Sequence, residues 1–106
     1  MSGPSEEKLE SLRAKWGRIQ RMDVVPGGYE GEIWVRLMNK FDARKYFKTR
    51  NESPELLAET TADSVIVWPE DQARIDLLDT FPFFAQHVEN FTVLASGLGT
   101  DAVKKG

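Results

Sequence analysis

The sequence predicts a small α+β fold, in which a sheet of about three strands (a hairpin plus one buried strand) packs with four to five helices. Apolar residues recur at helical spacing in several segments, and residues 32–38 alternate as a strand does. A continuous apolar run, Val65 to Trp68, is typical of a strand buried on both faces. The length suits one domain, residues 1–106, and 41% of the residues are hydrophobic, enough for a packed core.

The first predicted element is an N-terminal helix over residues 5–21. Ser5 is a suitable N-cap, and Glu6 and Glu7 lie where the helix dipole favours acids. An apolar stripe then follows at helical spacing, formed by Leu9, Leu12, Trp16 and Ile19. Such a narrow stripe either docks on its own domain, the commoner arrangement, or projects to meet a helix of another chain. Residues 1–4 are predicted to be flexible.

A β-hairpin is predicted next. Met22 to Val25 forms its first strand, and Pro26-Gly27-Gly28 is a strong turn signal. Glu32 to Met38 forms the second strand, with Ile33 and Val35 on one face and Trp34 and Arg36 on the other.

Two helices follow the hairpin. Asn39 is a suitable cap for a helix over residues 40–50, with Asp42 placed for a capping box. Ser53-Pro54-Glu55 is a second helix start, and that helix is predicted to run to about Thr61.

The last third of the chain is predicted to hold the buried strand and two more helices. The strand covers Ser64 to Trp68, and Glu70 and Asp71 open the next helix. Pro82 breaks it and starts a final helix that ends near Gly97. Residues 98–106 are predicted to be flexible.

Charge is divided unevenly along the chain. Residues 1–50 hold eleven Lys and Arg against seven Asp and Glu, whereas residues 51–106 hold three against ten. This division predicts either two faces of opposite sign or two halves that attract each other across the fold.

Residues that could perform catalysis are few. The chain has no cysteine, and the nearest acid to its one histidine, His87, is Glu89, which does not face it on a helix. Asp76 and Asp79 are typical of a solvated helix face, and the Gly-rich turns lack the lysine of a phosphate loop. We therefore expect no enzymatic activity, no cofactor and no metal site.

The predicted helix over residues 40–50 is the best argument for a nucleic-acid surface. Its cations would meet phosphates while aromatic rings stack on bases. Against this, Phe41, Tyr46 and Phe47 are also needed to fasten the helix to the sheet, and the protein is acidic, with a pI of about 5.2. The possible basic surface comprises Lys40, Arg44, Lys45, Lys48 and Arg50.

The aromatic content favours a protein partner. Three Trp, two Tyr and six Phe are many for so small a core, and exposed aromatic residues with arginine are typical interface anchors. Alternatively, these rings simply fill the core. The predicted partner-binding residues are those of the N-terminal stripe together with Trp34, Arg36 and Trp68.

Several segments carry a family resemblance. They are Val-Val-Pro-Gly-Gly-Tyr at residues 24–29, Gly31-Glu-Ile-Trp-Val-Arg36, Val65-Ile-Val-Trp-Pro69, Leu77-Leu-Asp-Thr-Phe-Pro82 and Ala95-Ser-Gly97. In this order, over residues 20–97, the chain resembles the small tail assembly chaperones of tailed bacteriophages and similar head–tail morphogenesis proteins. Many of those proteins are mostly helical, whereas three strands are predicted here.

The resemblance implies a non-enzymatic role in virion assembly. Such chaperones coat the long tape-measure protein until tail-tube subunits assemble, often self-associate, and have no catalytic residues to carry over. We therefore expect a tape-measure or other tail protein as the partner. The alternatives are a phage-encoded inhibitor that docks on a host protein through the acidic half, and a nucleic-acid-binding protein.

The expected location is the cytoplasm, which is the host cytoplasm if a phage encodes the protein. A small secreted domain would usually need disulfides, and Met1 to Glu10 lack the apolar stretch of a signal peptide. The longest apolar run, Val65 to Trp68, is too short to span a bilayer, so no membrane partner is expected.

Overall fold

The structure, a computed structural model, describes residues 3–97. The elements in chain order are α1 (Glu6–Trp16), β1 (Ile19–Arg21), β2 (Trp34–Arg36), α2 (Lys40–Glu52), a 3₁₀ turn (Pro54–Leu56), α3 (Leu57–Val65), β3 (Ile66–Trp68), α4 (Asp71–Thr80) and α5 (Phe84–Ala95). The predicted α+β class is confirmed. Of the segments predicted to be flexible, residues 1, 2 and 98–106 lie outside the described residues, and Gly3 and Pro4 lead into α1.

The sheet is antiparallel, in the order β1-β2-β3. The predicted hairpin is present, but its first strand is Ile19–Arg21, and Met22 to Val25 lie beyond it. Met22 is the last residue to follow the strand, because its N–H donates to the Ile33 carbonyl at 2.8 Å. The chain then leaves the sheet and turns at Pro26, whose carbonyl accepts from the Tyr29 N–H at 3.0 Å.

The N-terminal helix is shorter than predicted. It ends at Trp16 because Gly17 takes a φ of 85° and donates its N–H to the Arg13 carbonyl. Ile19 therefore belongs to β1 and not to the helical stripe. Leu9 and Leu12 are only 7% and 3% exposed, so the helix docks on its own domain and these leucines are not free for a partner.

The core lies between the sheet and the packed pair α3 and α5. Ile33 and Val35 enter it from one face of the hairpin, as the alternating pattern predicts, and both are fully buried. The cluster of buried residues comprises Met22, Ile33, Val35, Ala62, Val65, Ile66, Leu77, Phe84, Ala85 and Val88.

The buried strand begins two residues later than predicted, and the helix before it ends four residues later. The helix begins with the 3₁₀ turn and continues through α3 to Val65, so the strand starts at Ile66. Thr61 and Ala62 are buried, which keeps this polar segment helical against its neighbours. The predicted break at Pro82 is confirmed, because α4 ends at Thr80 and α5 begins at Phe84.

Candidate protein-docking surface

Arg36, a predicted partner-binding residue, is occupied within the chain. Its guanidinium donates to both carboxylate oxygens of Asp42, at 2.7 and 3.2 Å, and to the Ser64 carbonyl at 3.2 Å. It also lies 5.3 Å from the centre of the Trp16 ring. These bonds link β2 to α2 and α3, so a partner would compete with them for the guanidinium, and partner binding by Arg36 stays a prediction.

The groups around Asp42 change the pKa of its carboxyl. Partial burial raises the pKa of its carboxyl, but the hydrogen bond from Arg36, the backbone N–H of Asn39 and the charges of Arg36 and Lys45 outweigh burial. The pKa of Asp42 is therefore lower than its ordinary value. Asp42 also completes the predicted capping box with Asn39, so it anchors the start of α2.

The three tryptophans do not form one exposed surface. Trp34 and Trp68 lie opposite each other on β2 and β3 and are half-buried. The Trp34 indole N–H donates to the Glu32 carboxylate at 2.9 Å. Trp16 is 41% exposed, but cations lie against its ring. None of the three is as exposed as Phe41 or Phe83.

Helix α2 exposes two of its three aromatic rings, Phe41 and Phe47, as well as its cations, although the rings were expected to fasten the helix. Its five predicted cationic residues are all exposed, and Phe41 is 72% exposed. The Arg50 guanidinium lies 4.7 Å from the centre of the exposed Phe47 ring. No residue of α2 is fully buried.

Tyr46 is the one ring of α2 that fastens the helix by a polar bond. Its hydroxyl donates to the Glu89 carboxylate of α5. Burial, then this hydrogen bond and the Glu89 charge, raise the pKa of Tyr46 to about 12, against a weaker opposing effect of Arg50.

Phe83, in the connection between α4 and α5, has the most exposed aromatic side chain of the described residues, at 92%. It borders an open groove of about 480 Å³, which we call the Phe83 groove. Its lining is mainly apolar and comes from the loop after β1 and from the α4–α5 connection: Val24, Val25, Pro26, Thr80, Phe81, Pro82, Phe83, Phe84 and His87.

Ring contacts hold the two walls of the Phe83 groove together. Tyr29 meets Phe81 edge-on, with ring centres 6.4 Å apart. On the same side of the groove as Phe81, the buried Phe84 of α5 stacks on His87, with centres 5.5 Å apart. The groove is therefore fixed by packed side chains and not by a loop alone.

His87 has an acid beside it, contrary to the sequence prediction. Its Nε2 lies 3.3 Å from Oδ1 of Asp23, a residue 64 positions away in the chain. Both side chains are exposed, and His87 lines the Phe83 groove. Within residues 3–97, no group of three His, Cys, Asp or Glu side chains is placed to hold a metal ion.

A second groove, of about 290 Å³, adjoins the first and shares Pro82 and Phe83 with it. Its polar lining is acidic, with Glu55, Glu59 and Asp79. We call it the acidic groove. Phe83 thus stands between an apolar groove and an acidic one.

The two halves of the chain do little to neutralise each other. Five ion pairs between Lys or Arg and a carboxylate are formed among the described residues. Only Lys8–Glu70 and Lys48–Glu52 join a cation of residues 1–50 to an acid of residues 51–106. The molecule therefore presents a basic helix, α2, and an acidic groove whose carboxylates form no ion pair with it.

Sequence reasoning missed Phe83 as a site residue. The signal was the run Phe81-Pro82-Phe83-Phe84 at the break between two helices. Phe84 begins the buried stripe of α5, and the residue before it lies about 100° further round the helix, where Phe83 faces outward.

Comparisons with known proteins support the fold. No protein-family model matches the sequence, and no curated protein sequence matches it. A solved structure of an uncharacterised protein from Bacillus stearothermophilus is similar, with a TM-score of 0.67 and 18% sequence identity. The match covers 84% of this chain and 91% of that chain, so the two share a fold over most of their lengths.

No helix within residues 3–97 is long and apolar enough to cross a membrane.

Proposed function

We propose that the protein is a non-enzymatic protein-binding module whose Phe83 groove holds an apolar segment of a partner protein. The observation that carries this proposal is the 92% exposure of Phe83 beside a groove with a mainly apolar lining. Exposed apolar patches of this kind are typical of interaction sites, and a central aromatic anchor is typical of a binding hot spot.

The finer proposal is that the protein is a bacteriophage tail assembly chaperone, acting in the host cytoplasm. Two of the segments that carry the family resemblance also line the Phe83 groove, which supports this reading. Val24, Val25 and Pro26 belong to the first segment, and Thr80, Phe81 and Pro82 belong to Leu77-Leu-Asp-Thr-Phe-Pro82. The partner would then be the tape-measure protein, held until the tail tube assembles around it.

The test is capture of partners from infected cells by the full chain and by two matched variants. Phe83→Ala removes the exposed ring beside the groove, whereas Phe41→Ala removes an exposed ring on α2. The native chain and Phe41→Ala should both recover the tape-measure protein, and Phe83→Ala should recover at least about tenfold less. Equal recovery by all three would refute the assignment of the groove.

The identity of the captured protein decides between the finer readings. Recovery of a host protein without any tail protein, still dependent on Phe83, would replace the chaperone proposal by that of a phage-encoded inhibitor. Circular dichroism of each variant should match the native chain, because neither ring is buried.

A second candidate function is single-strand nucleic-acid binding by α2. The 72% exposure of Phe41 beside exposed cations favours it, because such rings can stack on bases. An oligonucleotide should then bind in a steeply salt-dependent manner, and Phe41→Ala should weaken binding while Phe83→Ala does not. Absence of binding at low salt would refute this candidate.

A further inference from the structure

None of the three acids of the acidic groove forms an ion pair within the described residues. Within its lining, Glu55, Glu59 and Asp79 are the charged residues, and no Lys or Arg is among them. Every ion pair among the described residues is formed by a carboxylate outside this groove. Three carboxylates thus line a groove that includes the exposed Phe83, with no Lys or Arg in the same lining.

Acidic and apolar surface continues past this groove. Glu59, Leu78 and Asp79 also line a neighbouring cavity of about 420 Å³, together with the exposed Ile75. Lys45 of α2 also lines that cavity, and its Asp63 is paired with Arg74 at 3.3 Å. The available negative charge is therefore concentrated next to Phe83.

We infer that the occupant of the Phe83 groove is a cationic amphipathic helix of the partner, an inference that rests on the proposed function. Its apolar stripe would cover Phe83 and the apolar groove, and cations beside that stripe would face Glu55, Glu59 and Asp79. Docking of a helix into an apolar groove is a common recognition mode. Charge complementarity at the border of such a contact mainly provides specificity and a faster association rate.

Size and net charge agree with this occupant. A helix of about 20 residues is about 30 Å long, and the principal extents of the described chain are 39 × 28 × 23 Å. The protein carries a net charge of −3, which favours encounter with a cationic segment and disfavours an anionic one.

The experiment uses two labelled helical peptides that share one leucine stripe. One carries lysine and the other glutamate at its polar positions, and binding to the full chain is followed by fluorescence anisotropy. Three exposed pairs correspond to about tenfold in affinity, so the lysine peptide should bind about tenfold more tightly. Phe83→Ala should weaken binding of both peptides by at least about tenfold.

Two triple variants isolate the acids. The first combines Glu55→Gln, Glu59→Gln and Asp79→Asn and should abolish the preference for lysine. The second makes the same change of net charge with Glu7→Gln, Glu10→Gln and Glu30→Gln, at exposed positions that line neither groove. It should change the affinity less than about twofold, because exposed charges that are not in contact are screened by salt.

The outcomes separate the two proposals. Equal affinity for both peptides, still lost in Phe83→Ala, would overturn the cationic occupant and leave the groove as a protein-binding site. Binding of both peptides that is unaffected by Phe83→Ala, or no binding at all, would overturn both. The chain could instead associate with itself, with α2 of a second copy in the Phe83 groove. Self-association that is abolished both by Phe83→Ala and by Phe41→Ala on α2 would identify that occupant and overturn the inference as well.

Discussion

Thr92→Val should stabilise the protein. Thr92 lies on α5 and is fully buried, and its hydroxyl oxygen has no hydrogen-bond partner. Valine has nearly the same shape, so the substitution removes an unsatisfied polar atom without opening a cavity.

The magnitude follows from the environment of that hydroxyl. In the unfolded chain the group is hydrated, and burying it unbonded costs about 1–3 kcal/mol. Replacing it by a methyl group adds up to about 0.8 kcal/mol of apolar burial. We expect the free energy of unfolding to rise by about 1–2 kcal/mol, and the melting temperature by about 4–10 °C.

Urea denaturation followed by circular dichroism gives the comparison, with two control variants. Thr92→Ala removes the hydroxyl without filling its volume, and should be about 1–2 kcal/mol less stable than Thr92→Val. Thr60→Val makes the same change at an exposed position of α3 and should alter stability by less than about 0.5 kcal/mol. A Thr92→Val protein less stable than the native chain would refute the reasoning, because it would mean that the hydroxyl makes a favourable bond.

Three further predictions concern the pair at α2, a tyrosine and a turn. Because the fold lowers the pKa of Asp42, its bond to Arg36 stabilises the protein above the unfolded carboxyl's pKa and loses that effect as pH falls through the folded value. Asp42→Asn should therefore flatten the fall in unfolding free energy between about pH 5 and pH 3 in urea titrations, and an unchanged slope would contradict this. The raised pKa of Tyr46, about 12, means that stability falls as pH rises above about 10, and the corresponding phenolate absorbance step should vanish in Tyr46→Phe. Gly28 has a φ of 88° and open space at its Cβ position, so Gly28→Ala should cost about 1 kcal/mol from backbone strain alone, whereas Gly27→Ala beside it should be neutral or slightly stabilising in thermal unfolding.

Structural features that depend on a few adjacent residues could be predicted from the sequence. The Asn39 capping box and the Pro82 break are local, since each depends on the side chain or ring of one residue acting on its neighbours. The inward face of the hairpin followed from strict alternation at Ile33 and Val35. The end of α1 at Gly17 was not predicted, because a glycine within a helical pattern can either end the helix or lie inside it.

The candidate docking surface depended on contacts that no local pattern contains. Asp23 and His87 meet across the fold, as do Arg36 and Ser64, and such pairings are set by the packing of whole elements. Phe83 looked like one of many core aromatics, and only the direction of α5 shows that its ring points outward. Similarly, the sequence does not show which rings of α2 attach the helix and which are exposed. The hydrogen bond from Tyr46 to Glu89 across the fold makes that distinction.

The polar attachment of α2 has a consequence for exchange of its backbone amides. None of its residues is fully buried, and it is tied to the rest of the chain by the bonds of Asp42 and Tyr46. Opening this helix would expose little apolar surface, so it costs less free energy than global unfolding. Its amides should therefore exchange with deuterium well before those of α3 and α5, and faster still at high salt, while the core stays protected.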